Sequence, residues 1–215
     1  MAGSAAVLED GSALSRIDRG LERAERAMAA LAGLAVLGLI LLAVVSVGGR
    51  NLFAAPVPGY VDWIEQAMPP IAFLGIAYAA RTGAHIRMDI VVGQLRGRVL
   101  WGAEFLTTLL TLALVVLLIW GAWGHFLRSF DFAAPLWSRD STMDIGLPIW
   151  PAKLVVPVAL GVLAARLLVQ LAGYARALRT GTDAPVAVPL VQSAAEIAAA
   201  EAETLAEADP TRDRR

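Results

Sequence analysis

The chain of 215 residues contains no cysteine. That excludes a disulfide framework, thiolate chemistry and any metal centre built on cysteine. Histidine is scarce, with two in the chain. His85 and His125 fall at opposite ends of apolar segments, about a bilayer thickness apart, so they cannot be the two axial ligands of one haem. Charge of either sign is also sparse: 18 Lys and Arg face 19 Asp and Glu, for a net charge of −1. This balance gives no electrostatic reason to bind nucleic acid. No Walker loop or dinucleotide fingerprint is present, no serine and histidine share a depth, and no carboxylate–histidine cluster has metal spacing. Catalysis and a resident cofactor or metal are therefore not expected. No internal repeat relates the first half of the apolar region to the second, which argues against an inverted-repeat transporter core.

What the chain has in abundance is apolar sequence, 58% of it, with a mean hydropathy of +0.64. Four long runs stand out, at about Met28–Val47, Ile64–Ala80, Val99–Trp123 and Ile149–Tyr174. A hydrocarbon core about 30 Å thick takes about 20 helical residues. The runs predict an all-α integral membrane protein with four transmembrane helices and interfacial amphipathic helices. The first 27 residues carry Asp10, Asp18, Glu22 and Glu25, and the first apolar run is too long for a signal h-region. A span that stays attached is expected.

Arginines set the expected orientation. Arg16, Arg19, Arg23 and Arg26 precede the first run, Arg81, Arg87, Arg96 and Arg98 lie between the second and third, and Arg176 and Arg179 follow the fourth. The other side holds Arg50, Arg128, Arg139 and Lys153. The positive-inside rule then places both termini in the cytoplasm. Trp63, Trp101, Trp120, Trp123 and Trp150 fall near predicted span ends, as interfacial anchors do.

The organisation expected is a disordered tail over 1–13, an amphipathic helix over 14–27, a four-helix membrane domain over 28–179 and a flexible tail from 180. The amphipathic helix presents Leu14, Ile17, Leu21, Ala24 and Met28 as an apolar stripe, with Ser15 and Asp18 resembling a capping box. Two placements fit it: on the inner leaflet with its arginines among phosphates, or against a partner subunit. Pro69-Pro70 removes two backbone donors inside the second run and predicts a kink or break. The tail after Thr180 is Ala/Glu-rich, with one weak helix near Ser193–Ala208.

Ionisable groups inside or at the ends of spans are the functional candidates. Arg50 closes the first run, close to Asp62 and Glu65 at the start of the second; pairing of Arg50 with either acid, contact with a partner subunit and ion coupling all fit. Glu104 and Arg166 lie at compatible depths in the third and fourth runs, which suggests a bridge. The outer segment Phe126–Leu147 mixes aromatics with Arg128, Asp131, Arg139, Asp140 and Asp144, a surface suited to a soluble partner.

The most specific pattern runs from Phe73 to Asp89: Phe73-Leu74-Gly75, then Arg81, Gly83, His85, Ile86 and Asp89 in order. It resembles the second span and following turn of the small permease subunits of tripartite ATP-independent periplasmic (TRAP) transporters. Arg50-Asn51 and Gly146-Leu147-Pro148-Ile149-Trp150 agree, and the resemblance covers about Ala27–Arg179. It implies a four-helix subunit of the bacterial inner membrane. Its partners would be a large many-span permease, a periplasmic substrate-binding protein and the phospholipid around it. Transport would be driven by an ion gradient, typically sodium, and the solute is usually a carboxylate. The large subunit would carry the moving site, while the small one scaffolds it and helps form the docking surface. Under this reading Arg81 and Arg87 anchor the inner face to headgroups or to the large subunit. Gly83 turns the chain, and His85 and Asp89 share a helical face. The rival is an accessory or assembly protein of another membrane complex.

Overall fold

The computed structural model describes residues 13–82 and 98–180. Five α-helices make up these parts: α1 (Ala13–Phe53), α2 (Tyr60–Phe73), α3 (Ile76–Arg81), α4 (Arg98–Ser129) and α5 (Trp150–Thr180). A single 3-10 turn, Pro135–Trp137, lies in the segment joining α4 to α5. Among the described residues there is no strand, only two isolated bridges, Phe130 with Ser138 and Ser141 with Pro148.

Three helices, α1, α4 and α5, are long and apolar enough to cross a membrane. A helix pairs its backbone groups within its own segment, the condition for crossing hydrocarbon. At about 1.5 Å per residue, the 41 residues of α1 reach about 60 Å, twice the hydrocarbon thickness. The segment over 14–27 is thus not a separate interfacial helix. It continues the same helix beyond the apolar stretch, and Ser15 lies buried within it rather than capping it.

The second apolar run forms α2 and α3, divided at Leu74–Gly75. Pro69 and Pro70 supply no N–H to the carbonyls one turn before them. The helix survives three residues further, Leu74 N–H still reaching Pro70 O at 3.0 Å, and then breaks. Neither piece is of membrane length alone, with 14 and 6 residues.

Helix α5 is the centre of the bundle, packing on α4 along its length and on α2, α3 and α1 elsewhere. Its apolar window is 44% buried, against 6% in α1 and 11% in α4. The main core joins Ala77 and Ala80 of α3, Val115 of α4, and Leu160, Leu163 and Leu167 of α5. The two alanines are there because the broken second run must approach α5 closely. A second cluster near the opposite ends of α4 and α5 stacks Trp101 on Tyr174, with ring centroids 6.2 Å apart. Trp101 is therefore a buried packing residue and not the interfacial anchor its position suggested.

Two glycines shape the α1–α2 turn. A Cβ on Gly49 would stand 2.6 Å from the Ala55 carbonyl oxygen, and Ala55 N–H donates back to Gly49 O at 3.1 Å. Gly59, with φ +65, starts α2 in a left-handed conformation where a Cβ would strike Ile145 at 2.6 Å.

Candidate functional site

The polar chemistry is divided between the two ends of the bundle. At the end where α1 begins, residues Ser15, Asp18, Glu22 and Glu25 recur at steps of three and four, so they share one helical face. That face turns inward. Asp18, Glu25 and Arg166 are all essentially inaccessible to solvent.

Arg166 of α5 grips α1 with its planar fork. Nε donates to Glu25 Oε1 at 2.7 Å and Nη2 to Glu25 Oε2 at 2.9 Å, a bidentate pair, while Nη1 donates to Asp18 Oδ1. Arg81, from the end of α3, lies on the other side of Asp18: Nη2 is 3.0 Å from Asp18 Oδ2 and 3.0 Å from Glu22 Oε2. Its Nη1 donates to the Asp18 carbonyl. Glu22 is also paired with Arg26 one turn on. Asp18 is the shared centre, so three helices are tied through one carboxylate. Next to this knot, Gln170 donates to the Ala80 carbonyl at 3.4 Å. Charge-assisted bonds of this kind are worth having only as a complete set, because removal of one member strands the others in low dielectric.

Two expectations change here. Arg166 was expected to bridge to Glu104; depth along the spans made that pair possible, but the contacts of Arg166 go to Asp18 and Glu25. Glu104 is itself buried on α4. Arg81 was expected to reach headgroups or a partner; it is buried within the chain, against α1. The amphipathic segment thus packs with its polar face inward, the reverse of the expected arrangement, and Ile17 of its apolar stripe stays exposed. Gly83, His85, Arg87 and Asp89 lie outside the described residues.

At the other end, Asp62 in the first turn of α2 holds the segment between α4 and α5. Its Oδ2 accepts the backbone N–H groups of Asp144 at 3.1 Å and Ile145 at 2.8 Å, and the Thr142 hydroxyl also bonds it. Thr142 Oγ1 in turn accepts from Leu147 N–H at 2.8 Å, and Gln66 of α2 donates to the Pro148 carbonyl at 2.7 Å. The expected pairing of Arg50 with Asp62 or Glu65 is replaced by this latch. Arg50 and Glu65 are exposed and make no ion pair among the described residues.

The same segment is braced internally. Ser129 donates to Asp140 Oδ2 at 2.6 Å, Lys153 Nζ lies 3.2 Å from the same oxygen and also contacts Ser129. Arg139 pairs with Asp131 at 3.1 Å, and Asp131 accepts Ala133 N–H. Of the five charged residues considered for docking, Asp131, Arg139 and Asp140 are therefore engaged within the segment. Arg128 and the Asp144 side chain face outward. What the segment presents is largely apolar: Phe132, Leu136, Trp137 and Met143 are exposed. Leu136 and Trp137 both have positive φ, at 52 and 58, a conformation non-glycine residues adopt at a cost. Trp150 Nε1 donates to the Leu136 carbonyl at 2.9 Å and helps hold that turn.

Two acids make the segment between α4 and α5 sensitive to acid. The Ala133 N–H and then Arg139 hold the Asp131 pKa below the ordinary carboxylate value, and Ser129 and then Lys153 do so for Asp140. A depressed carboxylate stabilises the fold above its unfolded pKa, near 4, and that contribution is lost as pH falls through the folded value. The melting temperature of the detergent-purified protein is expected to be flat between about pH 7 and 5 and to fall below about 4. Asp131→Asn and Asp140→Asn should flatten the decline.

Arg166, Arg81, Asp18, Glu25, Asp62, Thr142 and Lys153 define the joints; of these Arg166, Arg81 and Asp62 were candidates from the sequence, and Asp18 was read only as part of a helix cap. The signal for Asp18 and Glu25 was present in their spacing, which continues into Ala29 and buried Ala32 on the same face. Thr142 and Lys153 carry no such signal, because their partners come from a loop with no periodicity.

A bundle with three membrane-length apolar helices, a cluster of buried ion pairs at one end and a braced loop at the other defines a multi-pass membrane protein. Residues 20–177 match the family described as tripartite ATP-independent periplasmic transporters, DctQ component. The chain belongs to that family, and so is the small membrane subunit of a TRAP transporter. The family is a transporter component rather than a family of enzymes. A comparison with curated proteins finds no match.

Proposed function

We propose that this chain is the stationary scaffold of a sodium-driven importer of organic acids in a bacterial inner membrane. It would hold a large permease subunit in place and offer part of the surface on which a periplasmic substrate-binding protein docks. In this reading α2 and α3 together form the fourth crossing, about 33 Å at 1.5 Å per residue for Tyr60 to Arg81. Both termini face the cytoplasm, so the ionic knot lies at the inner membrane face and the α4–α5 segment in the periplasm.

The observation that carries the proposal is the distribution of polar groups in a member of this family. Between Ala27 and Gly49 of α1, Phe105 and Gly124 of α4, and Leu154 and Ala165 of α5, the sequence has no ionisable residue. A transport site needs polar groups at mid-membrane depth to replace the hydration of its solute and ions; these stretches offer no ionisable one, and Thr107 and Thr111 give their hydroxyls to carbonyls of their own helix. The charges of these helices are spent on fastening helix ends. The extensive exposed apolar faces of α1 and α4 suit contact with lipid and with a larger membrane subunit.

The test is a mild-detergent purification of the tagged chain from its native membrane, with the captured proteins identified by mass spectrometry. A many-span permease recovered in near-equal amount is the expected result. Recovery of the chain alone, or with an unrelated enzyme, would remove the scaffold assignment.

A further inference from the structure

The part of α1 that extends beyond its apolar stretch has three distinct faces. One is the buried acidic face of the knot. A second is the apolar stripe that includes exposed Ile17. The third consists of Arg16, Arg19, Arg23 and Arg26, at steps of three, four and three, within a sector of about 80° at 100° per residue. All four are exposed. Arg26 gives part of its charge to Glu22 on its own helix. Asp18 and Glu25, the fully buried acids of this helix, are committed to Arg166 and Arg81.

The same end of the bundle is where α5 finishes. Arg166 contacts Asp18 and Glu25, so α1 toward Ala13 and α5 toward Thr180 project from the knot together. The sequence after α5 is complementary in charge. Between Arg179 and Arg212 it holds no lysine or arginine but has Asp183, Glu196, Glu201, Glu203, Glu207 and Asp209. Glu196, Glu203 and Glu207 recur at steps of seven and four, which would align them on one helical face. Ser193, three residues before Glu196, completes a capping-box pattern. Arg16 to Arg26 covers about 15 Å of helix and Glu196 to Glu207 about 16 Å. The 16 residues from Thr180 to Glu196 extend to about 50 Å. The return from the end of α5 to Arg23 is roughly 30 Å, from about 21 Å of helix below Arg166 and one helix width.

We propose that the acidic C-terminal segment of this chain, residues 193–209, docks on the arginine ladder of α1, with Glu196, Glu203 and Glu207 facing Arg16, Arg19, Arg23 and Arg26. The ladder is held rigid for it by the knot on the adjacent face of the helix. The contact would cap the cytoplasmic end of the subunit and, being between exposed charges, would weaken with salt.

The absence of cysteine makes the test direct. The full-length chain carrying Arg23→Cys with Glu203→Cys, in native membranes under a mild oxidant, is expected to form an intramolecular disulfide. Its yield should exceed several-fold that of a control pairing Ile17→Cys with Glu203→Cys, and should fall in 0.5 M salt. Equal yields, or links only between two copies of the chain, would overturn the proposal. A second readout avoids cysteine: removing residues 193–215 should speed tryptic cleavage at Arg16 and Arg23 several-fold. If cleavage is unchanged by the truncation, and anionic phospholipid vesicles protect those sites with or without the tail, the ladder serves the membrane surface and the proposal fails.

Discussion

Arg166→Met is expected to lower the melting temperature of the detergent-solubilised subunit by about 10 °C and to reduce the amount of intact protein in the membrane. The reason is what the substitution leaves behind. Asp18 and Glu25 are fully enclosed and lose the fork that neutralises them, while Arg81 can answer only Asp18. Breaking one member of a buried charge set costs about 3–5 kcal/mol, and a domain of this size shifts by about 2–4 °C per kcal/mol. An apolar replacement of the bidentate pair, Glu25→Leu with Arg166→Met, should recover part of the loss, since Asp18 keeps Arg81 and well-packed apolar groups replace a buried ion pair at little net cost. Thermal unfolding followed by size-exclusion chromatography separates the outcomes. A single Arg166→Met variant that melts with the parent would mean that the knot does not hold α1 to α5.

The second large effect is expected at the other end. Asp62→Ala removes the acceptor for two backbone N–H groups and the partner of Thr142, so the α4–α5 segment loses its tie to α2. Tryptic cleavage at Arg139 should become about tenfold faster, as local opening of the segment becomes easier. Binding-protein-dependent uptake should fall in parallel, because Phe132, Leu136, Trp137 and Met143 would no longer be presented by a braced loop. Asp62→Asn keeps one acceptor oxygen and should show a smaller effect in both measurements. Faster cleavage with undiminished uptake would separate the latch from docking.

The long apolar helices were legible because bilayer thickness imposes a length that few other structures need, and the pattern from Phe73 to Asp89 pointed to the family. Pro69-Pro70 likewise forecast a break, found four to five residues further on, at Leu74–Gly75. The pairing of charges was harder to read. Arg166 stood out because an arginine inside an apolar run demands a partner, yet depth alone allowed Glu104 as readily as Asp18 or Glu25. Treating 14–27 as a separate interfacial helix directed attention to its apolar stripe. The continuous helix places the polar stripe inward instead, because the buried guanidinium groups of Arg166 and Arg81 need acids more than the bundle needs Leu14 or Ile17. Asp62 illustrates the remaining difficulty. Its partners are main-chain N–H groups of a loop, and no side-chain pattern in the sequence marks them.

The central claim is that the subunit stays still while its partner moves. Cysteine-free sequence allows spin-label pairs at exposed positions, Ile17→Cys with Leu168→Cys at the inner end and Val61→Cys with Met143→Cys at the outer end. Distances within each pair would be measured in the co-purified complex in vesicles, with and without the binding protein and an imposed sodium gradient. The account predicts one narrow distribution per pair, unchanged between conditions. A second population at either end, appearing with the gradient, would contradict a fixed scaffold and make this chain part of the moving machinery.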